Sequence, residues 1–287
     1  MKTLVLFQID PSSAGQVTQV DPSAQILTAT DLAATRGDGI FETIMIRSGV
    51  PQAMEPHLDR FARSAAMLDL PEPDRELWRS VVLDAARQMQ DHPIAAVKYI
   101  LSRGDEVTGQ ATGWALGFVP DSRPAGDSPE IDVVVLDRGY RSDVAQTSPW
   151  LLQGAKTLSY AVNMAALREA KRRGADDVVF VSTDGFVLEG PNATLIARID
   201  DVYTTTPTEF GILPSTTQGD VIAALAQAGE QVEVRALRTE DLQRADALWL
   251  CSSTRGAAPI RSLDGAPVIV DHEASARMLA ALDAREA

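Results

Sequence analysis

Cysteine is almost missing from this 287-residue sequence: Cys251 stands alone. That excludes an internal disulfide framework and any zinc cluster built on cysteine. Histidine is scarce as well. His57, His92 and His272 lie far apart, with no metal-ligand spacing such as HExxH, so no metal is expected. Lysine and arginine, 26 together, are outnumbered by 40 acidic residues, giving a net charge of −14. A nucleic-acid surface needs clustered cations, so no nucleic-acid partner is expected. Long apolar runs are lacking too: no stretch approaches the roughly 18 residues of a membrane span. The opening MKTLVLFQID has no signal-peptide cleavage pattern. The expectation is a soluble, cytoplasmic chain with no membrane partner.

What remains is the composition of an ordinary globular protein, 45% hydrophobic and 23% charged. The length fits two moderate domains. Asp121–Glu130 (DSRPAGDSPE) is polar and rich in proline and glycine, which marks a linker. We therefore expect a small N-terminal α/β domain over 1–120, a linker over 121–130 and a larger C-terminal domain over 131–287.

Periodicity fills these domains with mixed elements. Residues 3–9 and 40–47 have the branched and aromatic content of strands, and Ser48-Gly49 turns into a second strand over 50–54. Residues 15–24 read as a loop. Leu58, Phe61, Ala62, Ala65 and Ala66 recur at helical spacing, as do Leu77, Val81, Val82, Ala85 and Met89. Strands follow over 95–102 and 114–119, then over 131–136. A helix over 160–173 closes at Gly174, and Asp184-Gly185 turns a hairpin between 178–182 and 186–188. Strands over 194–199 and 202–205, a helix over 218–228, a strand over 231–236, a short helix near 239–244, a strand over 247–251 and a hairpin at Asp264-Gly265 complete the pattern.

Several residues carry possible chemistry. Lys156 sits among small residues after Trp150-Leu151-Leu152. An apolar setting lowers a lysine's pKa and frees a nucleophilic amine, as Schiff-base chemistry requires. Glu189 ends a strand and could face a cationic ring nitrogen. A surface lysine and a turn glutamate would look the same on these grounds. Arg60, one helical turn beyond His57, could pair with an anion or with Glu55 or Asp59. Ser215-Thr216-Thr217 opens a helix, as an N-cap does and as a phosphate site does. Ser253 and Thr254 form a second hydroxyl cluster after a strand.

The ordered combination separates these alternatives. RGDGIFET, HLDR, AKTLSY, LEGPNAT, GILPSTT and CSST resemble, in that order, the fold-type IV pyridoxal-phosphate enzymes (class IV aminotransferases), from about Asp31 to Gly265. That family comprises branched-chain aminotransferases, D-amino-acid aminotransferases and 4-amino-4-deoxychorismate lyases. The resemblance implies a two-domain α/β architecture like that of D-amino-acid aminotransferase, pyridoxal 5'-phosphate as cofactor, a small-molecule substrate, and a homodimer. It implies that Lys156 carries the cofactor and shuttles protons, and that Glu189 pairs with the pyridinium nitrogen. Arg60, Thr216 and Thr217 match phosphate ligands, with a further hydroxyl from Ser253 or Thr254. Tyr160 resembles the tyrosine that bonds the ring hydroxyl, aligned with a one-residue gap. Ser215 replaces the family's usual glycine and Gln218 a frequent arginine.

Two reactions divide the family: return of the proton gives transamination, and elimination gives pyruvate and 4-aminobenzoate, a folate precursor. The strand ending Ser102-Arg103-Gly104 and the ungapped Cys251–Ile260 segment resemble the lyases. The expectation is therefore 4-amino-4-deoxychorismate lyase. A D-amino-acid or branched-chain aminotransferase is the alternative, and a non-catalytic binding protein on this fold a more remote one. Arg103 and Arg255 are the candidates for the substrate carboxylate; Asp105 is the alternative partner of Arg103.

Overall fold

A computed structural model describes residues 2–11, 15–120 and 128–285, with the side chain of Lys2 left aside. Most of the expected linker, 121–127, lies outside the described residues. The chain forms two compact units. Met1–Ser122, Ala155–Tyr160 and Arg285–Ala287 make the first; Arg123–Gly154 and Ala161–Ala284 make the second.

The first unit runs β1 (Lys2–Asp10), β2 (Gln16–Val20), α1 (Leu32–Thr35), β3 (Gly39–Arg47), β4 (Val50–Pro51), α2 (Met54–Met67), α3 (Arg75–Gln88), β5 (Ile94–Ser102) and β6 (Thr112–Val119). Its six strands pair antiparallel in the order β2-β1-β6-β5-β3-β4. Alternation along β3 sorts its side chains onto two faces. Ile40, Glu42, Ile44 and Ile46 are fully buried, whereas Phe41 and Thr43 are only partly covered. Phe61 of α2 and Trp78 of α3 pack on Tyr99 of β5, with ring centroids 4.8 and 5.7 Å apart. The edge strand β2 falls where a loop was expected. The strand expected over 50–54 is only two residues long, because Ala53 takes a left-handed conformation and the helix starts at Met54.

One distant segment returns to this sheet. Leu158 donates its N–H to the Gly39 carbonyl (2.8 Å) and Phe41 donates its own to the Lys156 carbonyl (3.0 Å), so 156–158 lies antiparallel beside the start of β3. The crossing requires glycine at 39: a Cβ there would meet the Leu101 carbonyl oxygen at 2.7 Å and Leu158 Cδ1 at 2.8 Å. Gly39→Ala is expected to cost about 1–3 kcal/mol, as overpacking does, seen as a lower urea midpoint at unchanged slope. An unchanged midpoint would mean that the segment is not held against β3.

The second unit runs β7 (Ile131–Asp137), α4 (Val144–Thr147), α5 (Ala161–Arg172), β8 (Asp177–Val181), β9 (Thr194–Ile199), β10 (Val202–Thr205), α6 (Thr216–Gln227), β11 (Gln231–Val234), α7 (Thr239–Gln243), β12 (Ala247–Ser252), β13 (Gly256–Leu263), β14 (Ala266–Pro267) and α8 (His272–Asp283). Strand order is β11-β10-β9-β12-β13-β7-β8, with β14 on β13. The β10–β11, β13–β7 and β7–β8 pairs are parallel and the others antiparallel. A core of Val133, Val179, Leu195, Leu248, Leu250 and Ile260 lies on this sheet. The Asp184-Gly185 turn forms as expected, Gly185 at φ +84°, with Ser182 donating to the Phe186 carbonyl. Helix α8 was not anticipated, although Ala274, Met278 and Leu282 recur every four residues and are buried. Among the described residues, no helix is long and apolar enough to cross a membrane, and no cluster of ligands for a metal ion occurs.

Candidate active site

In the first unit the residues around Lys156 are held from three directions. The Lys156 N–H donates to Ser64 Oγ of α2 (3.1 Å) and its carbonyl is bound by β3. The side chain is half-buried, and its Nζ lies 4.5 Å from the centre of the Phe41 ring. Tyr160 meets the same ring edge-on at 5.4 Å. Such cation–ring contacts contribute about 0.5–2 kcal/mol, enough to orient a flexible amine.

Beneath the sheet lies a charged cluster. His57 and Arg60 sit one turn apart on α2, hence on one face of the helix. Arg60 Nε donates to Glu42 Oε1 (2.6 Å) and its Nη2 to Oε2 (2.7 Å). His57 Nδ1 lies 2.8 Å from Oε2 and, facing a carboxylate, donates to it. All three residues are buried. Burial alone would push the Glu42 carboxyl up, but the Arg60 charge and its hydrogen bonds, helped by His57, hold it well below the usual carboxylate range. Burial pushes His57 below its ordinary value, against the pull of Glu42. Glu55 and Asp59, the other acids considered for Arg60, pair with Arg75, and Glu55 also with Arg79.

Arg103 is closed off. Its guanidinium donates to both oxygens of Asp38 (2.6 and 3.2 Å) and to the carbonyls of Leu68 (2.6 Å) and Asp69 (3.2 Å). Asp105 instead accepts from Thr28 (2.7 Å) and Thr30 (2.5 Å). Ser102 Oγ donates to the buried Asp31 (2.8 Å). The Ser-Arg-Gly sequence therefore ties loops to the sheet end.

In the second unit, Glu189 Oε1 accepts the Leu213 N–H at 3.2 Å. Arg138, Tyr140 and Asn163 line a small cavity with it. The Arg138 guanidinium stacks 4.6 Å from the Phe180 ring centre and donates from Nε to the Tyr140 hydroxyl (3.2 Å). The chain passes tightly after Glu189, since a Cβ on Gly190 would meet the Val178 carbonyl oxygen at 2.8 Å.

Thr216 and Thr217 open the twelve-residue α6, both buried, and Ser215 caps it by accepting the Gln218 N–H at 3.1 Å. Thr217 Oγ1 lies 3.4 Å from Ser253 Oγ, which joins the helix start to the turn after β12, where Thr254 is also half-buried. Hydroxyls at a helix N-terminus form a donor set that suits a phosphate, with a carboxylate on Glu189 for a protonated ring nitrogen. The residues present thus fit pyridoxal phosphate. Arg255 donates from Nη1 to Asp177, which is fully buried, and so anchors that turn.

Sequence reasoning does not single out Phe41, whose ring Lys156 meets, or Glu42, which anchors Arg60 and His57. A signal for Glu42 existed: an acid at an inward position between Ile40 and Ile44 must find a buried partner.

This arrangement has close relatives. The family profile for class IV amino-transferases matches residues 39–263, and the chain belongs to that family. It is accordingly a pyridoxal-phosphate-dependent enzyme, a lyase or an aminotransferase. A bifunctional aminodeoxychorismate lyase / D-amino acid transaminase of Mycobacterium tuberculosis is 41% identical over 88% of this chain and 90% of its own length. A fold IV-transaminase from Curtobacterium pusillum is 47% identical, with TM-score 0.92 over 98% of this chain and 99% of that one. The PLP-bound form of a hypothetical aminotransferase from Mycobacterium tuberculosis is 38% identical, with TM-score 0.89 over 97% and 98% of the two chains.

Proposed function

We propose that this enzyme is a 4-amino-4-deoxychorismate lyase that releases 4-aminobenzoate and pyruvate. The observation that carries the reading is the match, over most of both chains, to a relative described as aminodeoxychorismate lyase and D-amino acid transaminase at once. D-amino-acid transamination at the same site is the second reading, favoured by that relative; the Curtobacterium pusillum structure favours transamination without naming a substrate.

The same residues serve either reaction. Lys156 would hold the cofactor through its amine, and its Nζ would be the base that takes the proton from the substrate carbon beside the amine nitrogen. Pyridoxal phosphate, when bound, supplies the electron sink for the pair left behind. Glu189, fixed by the Leu213 N–H, keeps a proton on the ring nitrogen. When the cofactor is bound, Thr216, Thr217, Ser253 and Thr254 would hold its phosphate, Arg60 would be the phosphate arginine that the family resemblance implies, and Tyr160 would orient the ring hydroxyl. In transamination Lys156 would return that proton; in the lyase reaction it would pass it to the departing enolpyruvate, which gives pyruvate, and its amine would then release 4-aminobenzoate. A homodimer belongs to this reading, supported by Trp150 (72% exposed) and Val162 (60%), apolar side chains that a partner would cover.

Purified holoenzyme is to be given aminodeoxychorismate, and separately D-alanine with 2-oxoglutarate. Release of 4-aminobenzoate supports the first reading; D-glutamate without any 4-aminobenzoate would sink it and leave the second.

A further inference from the structure

The Phe41 ring has a second ammonium group on it. Lys98 Nζ lies 4.4 Å from the ring centre, about as far as Lys156 Nζ at 4.5 Å. Lys98 projects from the middle of β5 on the face away from Glu42 and Tyr99. Its cross-strand neighbours there are Thr43 and Leu116, and Met45 and Phe118 lie on the same face. Among the described residues it has no hydrogen bond and no ion pair, and it is half-buried. Burial holds its ammonium below the ordinary lysine range with no acid to pull it back.

An ammonium in apolar surroundings without a counter-ion is costly to desolvate, and one aromatic face recovers only part of that cost. The alternative cations are neutralised: Arg103 by Asp38, Arg255 by Asp177. We infer that Lys98 is a substrate-binding residue, which receives a carboxylate of the substrate beside the amine of Lys156. The inference rests on the reading of Lys156 as the reacting amine. It changes which cation is expected to recognise the acid group, since neither arginine offered by the sequence is open. A carboxylate on Lys98 would supply the missing counter-ion through a charge-assisted hydrogen bond.

The test is calorimetric titration of the holoenzyme with 2-oxoglutarate and, separately, with 4-aminobenzoate, neither of which turns over without an amine donor. Lys98→Met keeps the length and apolar stem, so the fold should survive. It is expected to raise the Kd of at least one ligand about 10- to 100-fold, the range one charge-assisted hydrogen bond carries. Lys98→Arg is expected to restore most of that affinity, and the visible cofactor band should be unchanged in both variants. Unchanged Kd values in Lys98→Met overturn the inference, as does a wild type that binds neither ligand. Loss of the cofactor band with unaltered ligand binding would assign Lys98 to the phosphate instead and also overturn it. A Lys156→Ala protein that keeps its cofactor band and turnover would refute the reading of Lys156, a separate outcome from any loss of affinity in Lys98→Met.

Discussion

With Lys156 as the cofactor-holding amine, as proposed, Lys156→Ala is expected to lower turnover more than about 10⁴-fold, the upper end of what loss of one acid–base group costs. The protein should still fold. The segment's anchors are backbone groups, the N–H on Ser64 and the carbonyl on Phe41, and alanine keeps both. What is lost is the contact with the Phe41 ring, so the unfolding free energy should fall by no more than about 2 kcal/mol, read as a small downward shift of the thermal midpoint. Activity and melting are measured on the same preparation. Turnover above 1% of wild type in a folded Lys156→Ala protein would remove the lysine from the chemistry.

Glu42→Ala should act in the opposite way, on stability first. It leaves the buried Arg60 guanidinium without its forked partner, and stranding one member of a buried pair costs about 3–5 kcal/mol. Urea denaturation at pH 7.5 measures it; a loss under 1 kcal/mol would mean that solvent or another group replaces the carboxylate. The cluster also fixes a pH dependence. The folded Glu42 carboxyl sits well below its unfolded value, so its contribution is complete above the ordinary carboxylate range, begins to decline as pH falls through that range and is lost only below the folded value. His57 is likewise lowered in the folded state, so the unfolded chain takes up that proton first as pH falls below about 6.5. Both effects weaken the native state in acid. Wild-type stability should start to fall between pH 6.5 and 5, and His57→Gln should flatten that part of the curve. A wild-type curve that is flat over this range would contradict the neutral His57.

Much of this was legible in the chain. The apolar spacing that marks α2 and α3 and the branched runs that become β3 and β5 are local signals, and local signals survive without knowledge of the partner. Strand β2 gave none, because Gln16, Thr18 and Gln19 are exposed at a sheet edge where no apolar alternation is required. The short β4 was overextended, since nothing in Gln52-Ala53 announces a left-handed residue at a helix entrance. For the site, motif order carried the resemblance, but the partners of each side chain did not follow from it. Arg103 and Arg255 looked equally available, and Asp38 and Asp177, distant in sequence, decide their state. Lys98 was invisible for a related reason: a lysine in a strand looks solvent-facing until the two neighbouring strands are known.

The strand-like seat of Lys156 beside Gly39–Phe41 has a consequence for chain length. Side chains alternate along a strand, so a slip of one residue turns each to the opposite side. One residue inserted between Lys156 and Leu158, inside the paired stretch, would break this register and could point the amine away from Phe41, though every side chain named in the site would remain. The spacing of that short segment is therefore as much a part of the reacting group as the lysine, and a homologue with all the right residues but one extra there should be inert.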